Sequence, residues 1–300
     1  MKKYISILSL FIITSMGVSC SNDDDSTKGH VQGTAKLTNI EIGLNNNEIG
    51  TIGRDFHFNM DVLAKGKIDY IKVEISQIPS ENYSGEWTHE VIWDQYKGLK
   101  NSNVHKHFDI PAEAIEGKYN FVISVYDTNG DITVENRHIS LYLADNLPVN
   151  PEIYTFNVLT DDGIYYTTDD GYMLPEYSFQ QNSNLKAICR LSGVKGDGKM
   201  YVLLIKKRLN HKPETVSAID FTKAVVYDVY EHRNMPEVGE IVSTLNNFPI
   251  GALTDLNTPQ PNSIDGLKAW ETGDYYLGVV YTNTTYNISY FNYIDIKINY

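Results

Sequence analysis

The chain has 300 residues, a net charge of −13, two cysteines and 22 tyrosines. So acidic a balance excludes the basic surface that nucleic-acid binding requires. With Cys20 in the leader region, only Cys189 remains for the folded part, which excludes an intrachain disulfide framework.

Met1 to Ser19 read as a secretory signal, with Lys2 and Lys3 as its positive end and an apolar stretch from Ile5 to Val18 too short to span a bilayer comfortably. It ends Gly17-Val18-Ser19-Cys20, which resembles a bacterial lipobox; by that resemblance Cys20 is lipidated and anchors the mature chain to the outer membrane. Residues 20–32 are polar and acidic around Asp23-Asp24-Asp25, the composition of a disordered tether. An acid run directly after the cysteine resembles the export signal of surface lipoproteins and implies the cell surface.

The remainder predicts an all-β protein of two immunoglobulin-like β-sandwich domains, 33–147 and 152–300, joined at 148–151, where Pro148 and Pro151 stiffen the chain. In the first domain the apolar residues alternate with a period of two along successive short runs. Phe56, Phe58, Met60 and Val62 alternate with His57, Asn59 and Asp61. Val104, Phe108 and Ile110 alternate with His105, His107 and Asp109, up to Pro111. Tyr119, Phe121, Ile123 and Val125 form one face of the clearest strand, closed by Asn129-Gly130 before a further strand from Ile132. Seven strands in roughly 110 residues without a helical pattern are what an immunoglobulin-like sandwich needs. The connection from Gln77 to Asn103 holds Trp87 and Trp93, and Tyr83 with Trp87 are the candidate ligand-contact aromatics.

In the second domain Asp161-Asp162-Gly163 and Asp169-Asp170-Gly171 read as hairpin turns, and Gly193, Gly196 and Gly198 as a hairpin between two strands. At the end of the chain Gly273-Asp274-Tyr275 repeats Gly117-Lys118-Tyr119, and Ile288 and Tyr290 repeat Ile132 and Val134, all at one offset, which predicts an internal duplication. The copy lacks the histidines.

The chemistry-bearing feature is the His105-x-His107 strand. In an immunoglobulin-like sandwich the second and fifth strands are neighbours, so His57 would share a face with His105, His107 and Asp109. Cross-strand neighbours lie about 5 Å apart. These four residues are the candidate metal ligands, for zinc or copper, and rings more than about 7 Å apart would rule the site out, since ligand bonds are near 2 Å. The competing reading is that an exposed sheet face simply needs polar residues. Other catalytic motifs are weak: His89-Glu90 lacks the second histidine of a zincin, and no Gly-x-Ser-x-Gly occurs.

Residues from Gly33 to Leu143 resemble an uncharacterised surface-lipoprotein family of Gram-negative anaerobes, a domain of unknown function with an immunoglobulin-like fold. The resemblance rests on Gly53-Arg54-Asp55-Phe56-His57, Ile71-Lys72-Val73-Glu74-Ile75, Tyr96 to Asn101, His105 to Pro111, and Gly117 through Gly130. It implies fold and location, not an activity. The family looks histidine-rich, and this chain departs from it with Ser76 and Asn120 at two such positions. The expectation is therefore a non-enzymatic surface module that binds a glycan or a protein. The alternative is a zinc- or copper-binding lipoprotein, and a hydrolase ranks last.

Overall fold

In the computed structural model, which describes residues 35–300, the chain is all-β, with short 3₁₀ turns and no α-helix among the described residues. The leader, Cys20 and the acidic tether lie outside the described residues.

The first half contains β1 (Lys36–Ile42), β2 (Ile49–Thr51), β3 (Asp55–Leu63), β4 (Ile68–Gln77), β5 (Thr88–Trp93), β6 (Asn101–Asp109), β7 (Gly117–Asp127) and β8 (Ile132–Tyr142). They form two sheets, ordered β1-β3-β6 and β2-β8-β7-β4-β5. The period-two alternation aims Phe56, Phe58 and Met60 of one sheet at Val73, Phe121 and Ile123 of the other, in a single apolar core. Phe58 stacks on Trp93 at 5.6 Å and meets Phe121 at 5.8 Å. Strand β5 lies inside the stretch read from sequence as a connection, and its inward Trp93 is what binds it to the core.

The second half contains β9 (Glu152–Leu159), β10 (Ile164–Thr167), β11 (Gly171–Tyr172), β12 (Phe179–Gln180), β13 (Asn184–Lys206), β14 (Ala224–Val242), β15 (Phe248–Pro249), β16 (Gly273–Asn283) and β17 (Ile288–Asn299). The two Asp-Asp-Gly turns do join β9 to β10 and β10 to β11. The glycines at 193, 196 and 198 do not make a hairpin. They sit inside the single 23-residue strand β13, where the register with β14 slips repeatedly, so they are bulges that let one strand bend. One face of the β13/β16/β17 sheet packs in the main core. On its other face Tyr201, Leu203, Ile205, Val226 and Val280 are covered by Val216, Ile219 and Phe221 of the β13–β14 loop.

The repeat read at the chain's end has a structural counterpart. β7 and β16 are both 11 residues long and begin at Gly117 and Gly273, and β8 and β17 begin at Ile132 and Ile288. Each hairpin has a short parallel strand on its outer edge, β2 beside β8 and β12 beside β17, and a long antiparallel strand on the other.

Candidate metal centre

β3 and β6 pair antiparallel with His57 opposite His107 and Asn59 opposite His105. Because Phe56, Phe58 and Val104 are committed to the core, the three imidazoles must emerge on the opposite face. The ring centroids of His57, His105 and His107 are 5.1, 5.2 and 5.4 Å apart, inside the limit the sequence argument set.

Asp109 does not join them. It lies opposite Asp55 at the strand end, and two residues of strand carry a side chain roughly 6.5 Å further along the sheet. The fourth group is Glu214, which sequence reasoning missed because it comes from the second half. It rides on the β13–β14 loop, which is fixed onto the sheet beneath. The Tyr293 hydroxyl donates to the Pro213 carbonyl at 2.5 Å, the Val216 amide donates to Thr282 Oγ1 at 3.1 Å, and Pro213 and Thr215 are buried. One ligand atom from each of His57, His105, His107 and Glu214 can be chosen so that none is more than 4.8 Å from another.

The separations suit a small divalent ion. Glu214 Oε1 lies 3.1 Å from His107 Nε2 and 3.7 Å from His105 Nε2, whose own separation is 3.4 Å; Glu214 Oε2 lies 3.0 Å from His57 Nδ1. Four ligands at 2.0–2.1 Å in a tetrahedron would sit about 3.3 Å from one another. Two further carboxylates stand behind the rings. Asp55 Oδ2 takes His107 Nδ1 at 2.5 Å, and Glu41 Oε2 lies 3.5 Å from His57 Nε2. A carboxylate behind a ligating histidine fixes its ring and tautomer.

Both ring nitrogens of His57 and Glu214 Oε2 are buried without a well-aligned hydrogen bond and rest on ion-pair contacts alone, Nδ1 with Glu214 at 3.0 Å and Nε2 with Glu41 at 3.5 Å. Such atoms are costly unless something occupies the space between them. The electrostatics carry the same mark. Burial is the largest single influence on His57 and opposes its charge, but Glu214 and Glu41 together outweigh it and raise the imidazole to about 8. Asp55, then Glu214, lift His107 to about 10. Burial likewise works against the Glu214 carboxylate, yet His107 and His57 hold it down at about 2. Burial lowers His105, which has no carboxylate of its own behind it. Three carboxylates thus face three histidines, and two of the rings hold extra protons where a dication would sit. A cleft of about 270 Å³, lined by Glu41, Asn59, His105, His211, Lys212 and Glu214, leads to the cluster from solvent.

Of the two aromatics singled out in the sequence, Trp87 is buried and Tyr83 partly buried. Trp87 is buried edge-on to Tyr119 at 5.2 Å, and the Tyr83 hydroxyl accepts from the Ile78 amide and donates to the Lys118 carbonyl. Cys189 is buried in the second core, as its apolar setting in the sequence suggests.

Residues 18–142 match a family described as a domain of unknown function, DUF4625. That span includes the three histidines, Asp55 and Glu41, but not Glu214. No curated protein matches the chain. Among solved structures, dimeric latent PorU from Porphyromonas gingivalis is similar at 10% identity and a TM-score of 0.30, over 92% of this chain and 21% of that one. The chain therefore spans about a fifth of that protein's length.

Proposed function

We propose that this protein is a zinc-binding, non-enzymatic lipoprotein of the cell surface, with His57, His105, His107 and Glu214 as ligands. The observation that carries the reading is the convergence of four ligand atoms around buried polar atoms that lack hydrogen bonds. Three imidazoles and one carboxylate, with no thiolate, suit zinc and disfavour copper(I), which takes soft sulfur ligands. Four protein ligands close a tetrahedron and leave no position for a reactive water, which favours a structural role over catalysis. Lipidation at Cys20 and surface exposure rest on the leader and the acidic run that follows it. The facing sheets of the first half, and the hairpin that recurs in the second, support an immunoglobulin-like ancestry for both.

The test is elemental analysis and calorimetry on the mature chain from Asp23, beside a His105→Ala, His107→Ala variant. We expect one zinc per chain in the parent and none in the variant. A parent that binds no metal, or a variant that binds it equally well, overturns the proposal.

A further inference from the structure

We infer that the ion is the clasp between the two halves of the molecule, so that zinc occupancy sets how they are arranged. This rests on the zinc reading above and adds to it what the ion does. Three of the four ligands belong to the first half and the fourth to the second. Apart from this cluster the halves share no apolar core among the described residues. Each of the three apolar cores is drawn from one half alone. Leu44, Ile49, Leu147 and Ile288 line a small cleft of about 100 Å³ between the halves, and the hydrogen bonds across it are few. Arg54 meets Asn150 at 2.7 Å, Asn45 and Asn47 meet Asn287 at 2.5 and 3.1 Å, Ser217 meets Asn45 at 3.3 Å, and the ring of Phe291 lies edge-on to His107 at 6.4 Å. Side-chain amide bonds of this kind exchange with water at small net gain, and polar interfaces between domains allow relative motion by default.

The connection between the halves has one free joint. Upstream, Glu116 accepts from the Leu143 amide at 2.6 Å and from the Asn146 side chain at 2.8 and 2.9 Å, which ties that segment to the first half. Downstream, Val149 is buried and the Asn150 amide donates to the Gly193 carbonyl at 3.0 Å. The fit there is so close that a Cβ on Gly193 would lie 1.9 Å from the Asn150 carbonyl oxygen. The Leu147 amide still donates to the Ala144 carbonyl at 3.4 Å, so exposed Pro148 alone is left between two anchored segments as the joint. An ion bound by both halves fixes that joint; without it the halves meet here through Glu214, which bonds His107 Nε2 at 3.1 Å and pairs with His57 Nδ1 at 3.0 Å, contacts that exchange with water and protons.

The experiment uses the mature chain from Asp23 with Lys100→Cys and Glu237→Cys, one exposed site in each half, carrying spin labels; Cys189 is buried and stays unlabelled. Distances are measured by pulsed electron resonance with zinc chloride and after chelation, in parallel with zinc stoichiometry. We expect a narrow distribution with zinc and a broad one without. Glu214→Ala should still bind zinc through the three histidines, about tenfold or more weakly, and zinc should no longer narrow its distribution. Should that variant fail to fold, the parent with and without zinc decides the matter alone. One zinc per chain with no change in the distribution overturns the clasp and leaves the metal site standing. No bound zinc overturns both.

Discussion

Two of the buried charged groups, Asp255 with Lys268 and His57 with Glu214, are resolved in opposite ways. In the second half the Asp255 carboxylate accepts from the Asn262 amide at 2.7 Å, the Asn257 amide at 3.2 Å and the Lys268 ammonium at 3.1 Å. Both oxygens are matched, all by partners within fourteen residues of chain or by the adjacent Val226 amide at 3.4 Å. Around His57 the groups come from β1, β3, β6 and a loop of the other half, and three buried polar atoms have no hydrogen bond. A carboxylate held mostly by one short segment can be matched as that segment folds, even though Asn257 Oδ1 beside it lacks a hydrogen bond. In the cluster assembled from both halves the acids pair with imidazoles, Glu214 with His107 at 3.1 Å and Asp55 with its other nitrogen at 2.5 Å, so a cation that replaces the histidine protons meets ligands already gathered.

The widest separation of the two clusters should come from pH. Zinc must displace the protons held on His57, at about 8, and His107, at about 10. Affinity should therefore fall up to about a hundredfold per pH unit below 8 and about tenfold per unit between 8 and 10. Calorimetry in buffers of different ionisation enthalpy should read about two protons released at pH 7. In the zinc-free protein the signs reverse. Raised histidine values stabilise the fold below their ordinary 6.5, and this is lost as pH rises through 8 and then 10. The lowered Glu214 value stabilises above 4.5 and is lost as pH falls towards 2, while the lowered His105 value works against the fold in acid. The zinc-free interface should thus be firmest near pH 5 to 6, roughly, where zinc binds worst.

Asp255→Ala should cost about 3–5 kcal/mol in urea unfolding, because it leaves Lys268 buried without its counter-charge. The loss should be the same with zinc and with chelator. By contrast, zinc at a hundred times its dissociation constant should add about 2.7 kcal/mol to the parent and nothing to the His105→Ala, His107→Ala variant. If zinc rescued the Asp255 variant selectively, the two clusters would not be independent. Asp55→Asn should weaken zinc binding about tenfold by releasing the His107 ring, whereas Asp109→Ala should leave the zinc isotherm unchanged. An equal effect of both would mean that the acids act by long-range charge alone.

The three histidines can be found in the sequence because strand alternation is a local signal: once Phe56, Phe58 and Val104 are assigned to the core, His57, His105 and His107 have only one face left. Choosing Asp109 as the fourth ligand extends that logic past the point where it holds, since a sheet face continues but a 2 Å bond does not. Glu214 cannot be found that way. Nothing around Asn210 to Thr215 differs from an ordinary polar loop, and its position depends on how the Pro213 carbonyl and the Val216 amide bond Tyr293 and Thr282. The bend at Gly193 to Gly198 passes for a hairpin in the sequence for a related reason. Glycines signal that the chain leaves regular geometry, but whether it turns back or merely bulges is decided by the neighbouring strands. The repeated hairpin is legible because a duplicated pattern states its own register.

The short joint at Pro148 has a consequence for affinity itself. A short connection keeps the Glu214 carboxylate within reach of the histidines at all times, so its binding to the ion is an intramolecular step with an effective concentration in the millimolar range. The fourth bond is then a chelate closure whose strength is tuned by chain length. Lengthening the joint with glycine and serine should weaken zinc binding progressively, roughly as the −3/2 power of linker length, with every ligand left in place.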